Sequence, residues 1–379
     1  MSTSTAQTRK PRLDFKDRVA GLPKPVKIVL WALFAVFLFA LPLLNIPFIT
    51  TEDSDFGGVL FTVATYVLVA LGLNIVVGYA GLLDLGYVGF YAIGAYVVGV
   101  LSSAHASLPW LVAVPIAIVV AMISGVILGA PTLRVRGDYL AIVTLGFGEI
   151  VRLTLVNSQW LGGARGITDI PRPPGIELFE VPSLDWSNGT PVVDLDNTTT
   201  FLKFGIGDFV PYYWLALVII VLVLVFDILV KNSRVGRAWE ATREDEDAAE
   251  LMGVPTFRFK LLAFSLGAAI GGLSGALFAG KAGFISPDSF QLLLSILFIA
   301  AVVVGGAGNR VGVILGAIVV SYFPERFREF ADFRVLVFGL ALMVLAIFRP
   351  QGILPPGRTR RVKRADEREQ VLEEGLPDA

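Results

Sequence analysis

Long apolar runs recur along the whole chain, and they limit what it can fold into. Each has roughly the length needed to cross ~30 Å of hydrocarbon and is bounded by charged residues, Pro or Gly. Of the 379 residues, 55% are hydrophobic and 17% are charged, whereas a soluble domain has about 25% charged residues. The runs lie at 27–47, 57–77, 86–103, 110–131, 139–157, 211–230, 260–280, 289–305, 311–323 and 333–348. The chain is therefore predicted to be an all-α membrane protein with about ten transmembrane helices.

Basic residues in the short loops predict the orientation. The loop 50–55 after the first run is purely acidic, and positive loops stay in the cytoplasm. The tail 1–26 before that run carries Arg9, Lys10, Arg12, Lys16, Arg18 and Lys24. We therefore expect a bacterial inner-membrane protein with both termini in the cytoplasm.

This orientation divides the chain into a basic cytoplasmic tail at 1–26, a transmembrane domain at 27–353 and a cytoplasmic tail at 354–379 that is predicted to be disordered. An outer loop covers about 157–210 and lacks sustained periodicity. It either docks an external partner or is a solvated loop with little local structure. A second long connection, about 231–258, faces the cytoplasm. The run 311–323 is short for a crossing and indicates a broken or tilted helix.

Gly267, Gly271 and Gly275 recur at a spacing of four, so they share one face of a helix. Small residues at this spacing allow another helix to approach closely. The face is expected to be a helix contact, either for packing alone or to let helices tilt past one another during gating.

Three ionisable residues within or between the runs, Asp84, Glu149 and Arg152, are candidates for function. Asp84 lies in a glycine-rich stretch between the second and third runs, where it is either a helix cap or a site residue. Glu149 and Arg152 are three residues apart, so they can pair on one helix face, as a structural pair or as part of a translocation path. Asp227 is expected to reach the membrane interface at the cytoplasmic end of its span.

The cytoplasmic segment 231–258 is predicted to contain one polar helix over 237–252. Gly253 and Pro255 mark its end. Ala241 and Ala248 are small enough to lie under a closing groove of another protein. The alternative is a solvated connector between two spans.

Several kinds of chemistry are disfavoured. The chain has no cysteine and one histidine, His105, so metal sites and nucleophilic catalysis have few candidate residues. A net charge of −1 gives no indication of a nucleic acid partner. The phosphate-binding pattern G-x-x-x-x-G-K-[ST] does not occur in the sequence, so any ATP-driven work needs another chain.

Several separated motifs resemble those of one transporter family. Gly236-Arg237-x-x-Glu240-Ala241, followed by Ala248-Ala249-x-x-x-Gly253, resembles the coupling segment of membrane subunits of ATP-binding cassette (ABC) importers. Over about residues 58–357 the chain is similar to LivM-type permease subunits of branched-chain amino acid ABC importers. The other matching stretches are 78–81, 136–145, 147–152, 283–290, 305–308 and 349–352.

The resemblance implies an ABC importer permease of the branched-chain amino acid/ribose type, which is not itself an enzyme and binds no cofactor. It implies four partners in the membrane complex: a second homologous permease, two ATP-binding subunits and an extracytoplasmic solute-binding protein. ATP is bound by the partner subunits and not by this chain. Arg237, Glu240, Ala241, Ala248 and Gly253 are then the candidates for contact with the ATPase. The enlarged outer loop and the acidic stretch 244–247 depart from the family pattern.

Alternatives remain at this stage. Similar permeases carry urea or short amides instead of branched-chain (hydrophobic) amino acids. A stand-alone secondary transporter would use Glu149, Asp84 and the glycine-rich loop as a broken-helix site. A membrane enzyme is the least supported, because few catalytic residues are available.

Overall fold

The computed structural model describes residues 23–44, 55–103, 106–133, 138–175, 180–187, 190–200, 203–205 and 207–326, with 339–340, 343, 347–349 and 352–354. This part of the chain is mainly helical. The helices are α1 (Lys24–Ala40), α2 (Phe56–Leu73), α3 (Val88–Ser102), α4 (Trp110–Thr132), α5 (Asp138–Asn157), α6 (Val210–Asn232), α7 (Arg234–Glu244), α8 (Glu246–Leu251), α9 (Thr256–Ala282), α10 (Leu292–Gly305) and α11 (Arg310–Arg326).

Nine of the ten predicted spans coincide with helices α1–α6 and α9–α11, whereas the run 333–348 lies largely outside the described residues. Within the described part, six helical stretches are long and apolar enough to cross a membrane: 56–79, 110–132, 139–157, 210–232, 256–282 and 287–305. The stretches 32–43 and 88–102 are apolar but shorter. The chain is therefore multi-pass, and the count of about ten crossings stays a prediction. Helix α11 continues without a break from Arg310 to Arg326.

Helix α9 is the centre of the bundle. It packs against α2, α3 and α4, while α10 and α11 pack against each other and against α2. We compare the most apolar 18-residue stretch of each long helix. In the stretch 56–79, which includes α2, 78% of these residues are buried, and in α9 67% are buried, whereas in each of α4, α5 and α6 only 28% are buried. The outer helices thus present wide apolar surfaces to their surroundings.

The last turns of α2 are irregular. Residues Asn74–Tyr79 form a π-helical segment, and 80–87 are non-helical although most of them are buried. Irregular backbone at membrane depth is tolerated only where protein or water covers it. Here the side chain of Asn74 accepts a hydrogen bond from the N–H of Gly308 at 2.8 Å, which fixes the segment to the α10–α11 turn.

The outer loop contains regular structure that its composition did not indicate. Strands β1 (Glu180–Ser187) and β2 (Thr190–Thr200) form an antiparallel hairpin with an irregularity between Pro182 and Ser183. Nearer the membrane, Ile167 and Ile285 exchange backbone hydrogen bonds of 2.8 and 3.0 Å. The start of this loop is therefore fastened to the segment after α9.

Candidate functional site

The segment between α6 and α9, which is predicted to be cytoplasmic, forms two short helices, α7 and α8. The backbone of Asp245 is extended (φ −153°, ψ 107°), and its carboxylate accepts a hydrogen bond from the N–H of Ala248 at 2.9 Å. Asp245 is thus the N-cap of α8. The prediction of a single helix over 237–252 is wrong at this residue, because an aspartate followed by two acidic residues starts a new helix more favourably than it continues an old one.

Helix α7 is fastened to the membrane domain by its inner face. Trp239 is fully buried, and its indole N–H donates to the carbonyl of Phe259 at 2.7 Å. On the same helix, the guanidinium of Arg243 donates to the carbonyl of Gly78, at the irregular end of α2. A displacement of α7 is therefore resisted by contacts to both α9 and α2.

Helix α8 is held by side chains of α9. The ammonium of Lys260 pairs with the carboxylate of Glu246, and the hydroxyl of Thr256 donates to the carboxylate of Glu250 at 2.5 Å. These contacts lie on the inner side of α8 and leave its other side exposed to solvent.

The outer face of the two helices contains the predicted coupling residues. Arg237, Glu240, Ala241, Ala248 and Gly253 are all exposed. They are therefore available to a partner.

Two further exposed residues were missed by the sequence analysis. Leu251 and Met252 are 89% and 84% exposed, which makes them the most exposed large apolar side chains in the described part of the chain. An apolar pair at the end of a polar segment, directly before Gly253, was the available signal. We name the exposed residues Arg237, Glu240, Ala241, Ala248, Leu251, Met252 and Gly253 the coupling surface.

Gly253 ends α8 in the left-handed region, with φ +84°. Within the described part of the chain, no atom beyond those of its sequence neighbours lies within 4 Å of the place where a Cβ would be. The requirement for glycine is therefore conformational and not steric.

A buried ion cluster lies beneath this surface. Asp227 is 1% exposed and pairs with Arg310, which also donates to the backbone carbonyl of Asp227 at 3.1 Å. The hydroxyl of Tyr79 donates to the Asp227 carboxylate at 3.0 Å, and the ammonium of Lys231 donates to the carbonyl of Gly308 at 3.1 Å. The expectation that Asp227 reaches the interface is wrong, because a partner 83 residues along the chain neutralises it within the protein.

Asp84 is fully enclosed by this chain. Its carboxylate accepts a hydrogen bond from the N–H of Gly86 at 2.9 Å, and the next residue, Leu85, donates its N–H to the hydroxyl of Thr144 at 3.0 Å. Leu85 also accepts a hydrogen bond from Ser295 at 2.5 Å. In this conformation Asp84 shapes a buried turn between α2 and α3 and lines no open surface.

Glu149 and Arg152 form the ion pair that their spacing predicts. Arg152 donates to both carboxylate oxygens, from Nε at 3.1 Å and from Nη2 at 2.6 Å. The side chains are 40% (Glu149) and 25% (Arg152) exposed, so this chain alone does not enclose them. Counting ~1.5 Å per residue from the start of α5 places Glu149 about 16 Å along the helix, near mid-membrane.

The three glycines of α9 lie at helix contacts. An added Cβ would be 2.4 Å from the side chain of Val76 at Gly267, 3.2 Å from Phe90 at Gly271 and 1.9 Å from the carbonyl of Tyr91 at Gly275. The face therefore packs closely against the end of α2 and against α3.

Comparisons with known proteins agree with this architecture. The family model described as "Branched-chain amino acid transport system / permease component" matches residues 56–347. The chain is 43% identical over 297 residues to the high-affinity branched-chain amino acid transport system permease protein LivM of Salmonella typhimurium strain LT2, covering 77% of this chain and 68% of that protein. LivM of Escherichia coli K12 is 44% identical with the same coverage.

A different permease protein of a transport system with the same name is a more distant relative. The high-affinity branched-chain amino acid transport system permease protein LivH of E. coli K12 is 26% identical over 307 residues, covering 77% of this chain and 91% of LivH. No solved structure shows a significant match to this chain.

Proposed function

We propose that this chain, which belongs to the family of branched-chain amino acid transport permease components and is a transport subunit of that kind, forms half of a translocation path for branched-chain amino acids. In this proposal the chain receives ATP-driven motion through α7 and α8. The family and the printed function of its relatives support the solute class. The two cytoplasmic helices support the coupling role.

The proposed complex contains a second, homologous permease, two ATP-binding subunits at the cytoplasmic face and an extracytoplasmic solute-binding protein. A pair of permeases is supported by the names of the relatives, because LivM and LivH of E. coli K12 are two permease proteins under one system name. In this arrangement about ten helices cross the bacterial inner membrane, and both termini are cytoplasmic.

The ATPase activity is assigned to the partner chains. Residues Gly275 to Lys281 match the phosphate-binding pattern, but Ala282 replaces the Ser or Thr that would bind Mg²⁺. These residues are also the last turns of the continuous helix α9, whereas the pattern requires a loop that precedes a helix.

The coupling surface is the observation that carries the proposal. It combines an exposed apolar tip, Leu251 and Met252, with small and polar residues on α7, while the inner face of the same helices is bound to α2 and α9. A groove of the ATPase that closes over this surface would bury the tip, which is favourable by roughly 1.5–3 kcal/mol for each large apolar side chain. Motion of the groove would then move α7 and the elements fastened to it.

The translocation path is proposed to run beside α5, where Glu149 and Arg152 lie on an open face at mid-membrane depth. Asp84 is proposed to act indirectly. It stabilises the buried turn that contacts Thr144 of α5 from inside the bundle. The glycine face of α9 is proposed to keep the central helices in close contact while the outer helices move.

Solute-stimulated ATP hydrolysis by the reconstituted complex tests the coupling role. Ala241→Trp places a large side chain on the exposed face of α7, so it should abolish most of the stimulation without lowering the amount of this chain in the membrane. Ala241→Ser keeps a small side chain and should retain stimulation. Arg258→Trp, at an exposed position outside the two helices, controls for an added tryptophan.

A pull-down of the ATP-binding subunit completes the experiment. Loss of both assembly and stimulation with Ala241→Trp supports a direct contact at α7. Normal assembly with full stimulation would show that α7 and α8 are only a connector between two spans.

A further inference from the structure

The exposed side of α5 contains a charged residue and an unfilled glycine position that do not suit lipid, and we infer that it is the surface on which the second, homologous permease packs within the membrane. We define the α5 face as Ile142, Gly146, Glu149, Ile150 and Leu153. The inference rests on the proposed function and adds to it the location of the contact between the two permeases.

The ion pair is the first observation. Glu149 and Arg152 satisfy each other, yet they retain 40% and 25% exposure in the isolated chain. Charged groups within a membrane span face protein or water and not hydrocarbon, because desolvation in lipid is costly. Something other than acyl chains must therefore cover this part of α5.

Gly146 is the second observation. Among the glycines of the described membrane helices α2–α6 and α9–α11, it alone has no described atom within 4 Å of the position of an added Cβ, apart from those of its chain neighbours and its own helix. At the other positions the absence of a side chain lets a neighbouring element of the same chain approach, as at Gly275 against Tyr91. A gap of the same kind that the described residues leave unfilled indicates close approach by a helix from outside the chain.

Exposed apolar side chains complete the face. Ile142 is 65% exposed, Ile150 64% and Leu153 45%, and they lie above and below Gly146 and Glu149 on the same side of the helix. An apolar groove of about 430 Å³ between α3, α4 and α5 is lined in part by Ile150. The groove continues the face sideways and would receive apolar side chains of a partner helix.

Helix α6 gives the contrast. Its exposed side consists of aliphatic residues such as Val218, Leu222 and Leu229. It contains no glycine, and its one acidic residue, Asp227, points inward to Arg310. This is the composition expected of a helix against lipid.

The depth of the α5 face selects its occupant. It lies between the two ends of a membrane-crossing helix, so a soluble ATPase or binding protein cannot reach it. A chain with several membrane helices can reach it. We assign the face to the second, homologous permease of the proposed complex and not to a second copy of this chain, because LivM and LivH are two permease proteins under one system name.

Site-specific photo-cross-linking in the complete membrane complex tests the assignment. A photoreactive amino acid is placed at Ile142 or Leu153, and the matched control carries it at Leu222 on α6. The first two positions should give a product that contains the second permease, identified by mass spectrometry, and the control should give none. Gly146→Leu should cause loss of co-purification of the second permease while this chain remains in the membrane, and Gly146→Ala should cause a smaller loss.

The outcomes separate this inference from the proposed function. If the second permease and the ATPase co-purify but positions 142 and 153 give only lipid products or no product, the assignment of the α5 face is refuted and the permease function stands. A product of this chain with itself would also refute the assignment, because the partner would then be a second copy. If neither subunit co-purifies with the unmodified chain, the proposed function fails first.

Discussion

Breaking the buried pair of Asp227 and Arg310 should destabilise the junction beneath the coupling surface. In Arg310→Met, Asp227 keeps the hydrogen bond from Tyr79 but loses its counter-charge, at a position that is 1% exposed. Removing one partner of a buried pair costs about 3–5 kcal/mol, whereas an exposed pair is worth roughly 0–1 kcal/mol. The burial of Asp227 places this pair in the first class.

The opposite change should be milder. In Asp227→Asn the amide oxygen can still accept hydrogen bonds from Tyr79 and Arg310, and the Arg310 side chain is 23% exposed, so water relieves part of its unpaired charge. We expect a loss of about 1–3 kcal/mol. The double variant Asp227→Leu with Arg310→Met removes both charges and should lose less than Arg310→Met alone.

The stability of these variants can be ranked by thermal unfolding of the purified complex in detergent. The measured quantity is the amount of complex that stays intact after heating. Tyr139→Phe is the control, because Tyr139 is 67% exposed and its hydroxyl is not part of the cluster. Equal and small losses for Arg310→Met and Tyr139→Phe would refute the reasoning. A double variant that loses as much as Arg310→Met or more would also refute it, since that variant leaves no unpaired charge in the buried cluster.

Three further predictions concern the coupling route and the α5 pair. Gly253→Ala should reduce solute-stimulated ATP hydrolysis, because a non-glycine residue in the left-handed region costs about 1–2 kcal/mol. The control is Gly207→Ala, which should leave hydrolysis unchanged although Gly207 is also left-handed (φ +89°) and has no described atom near the place of an added Cβ. Equal effects of the two variants would contradict a role for the turn at Gly253. Glu149→Gln and Arg152→Met should each lower the membrane level of the chain more than the double variant does, because each strands a charge worth about 2.5–3.5 kcal/mol on the insertion scale; additive losses would mean that the two do not interact. Thr144→Val should uncouple hydrolysis from uptake without preventing assembly, and unchanged uptake per ATP in the reconstituted complex would show that its hydroxyl is not needed.

Hydropathy predicted the spans well because the length of an apolar run is a local property. The predicted runs 110–131 and 211–230 differ from α4 and α6 by at most two residues at either end. Asp227 shows what such reasoning cannot supply. Near the end of a span, a carboxylate can reach the interface or pair inside the protein, and only the folded chain brings Arg310 to it.

In the segment 231–258 the sequence contains a signal for a helix start at Asp245, but stronger helix propensity on both sides led to the prediction of one helix. Asp245 followed by two acidic residues fits an N-cap and first turn, yet the good helix formers on both sides favoured one continuous helix. Trp239 could not be placed, because a single aromatic residue on a polar helix is compatible with either exposure or burial. Its burial depends on the carbonyl of Phe259 in the next helix.

A chain of hydrogen bonds joins the two surfaces assigned above. Arg243 of α7 holds the carbonyl of Gly78 at the end of α2, and the buried turn that follows contacts α5 through the Leu85 N–H and the Thr144 hydroxyl. The backbone of this turn is irregular, so it can change its dihedral angles at lower cost than a continuous helix. An ATPase that pulls on α7 therefore acts first on the one connection between α2 and α3, and that connection ends on the helix whose opposite side holds Glu149. In the proposed complex we therefore expect the glycine-rich turn, more than the rigid centre of α9, to convert cytoplasmic motion into a movement of the α5 face.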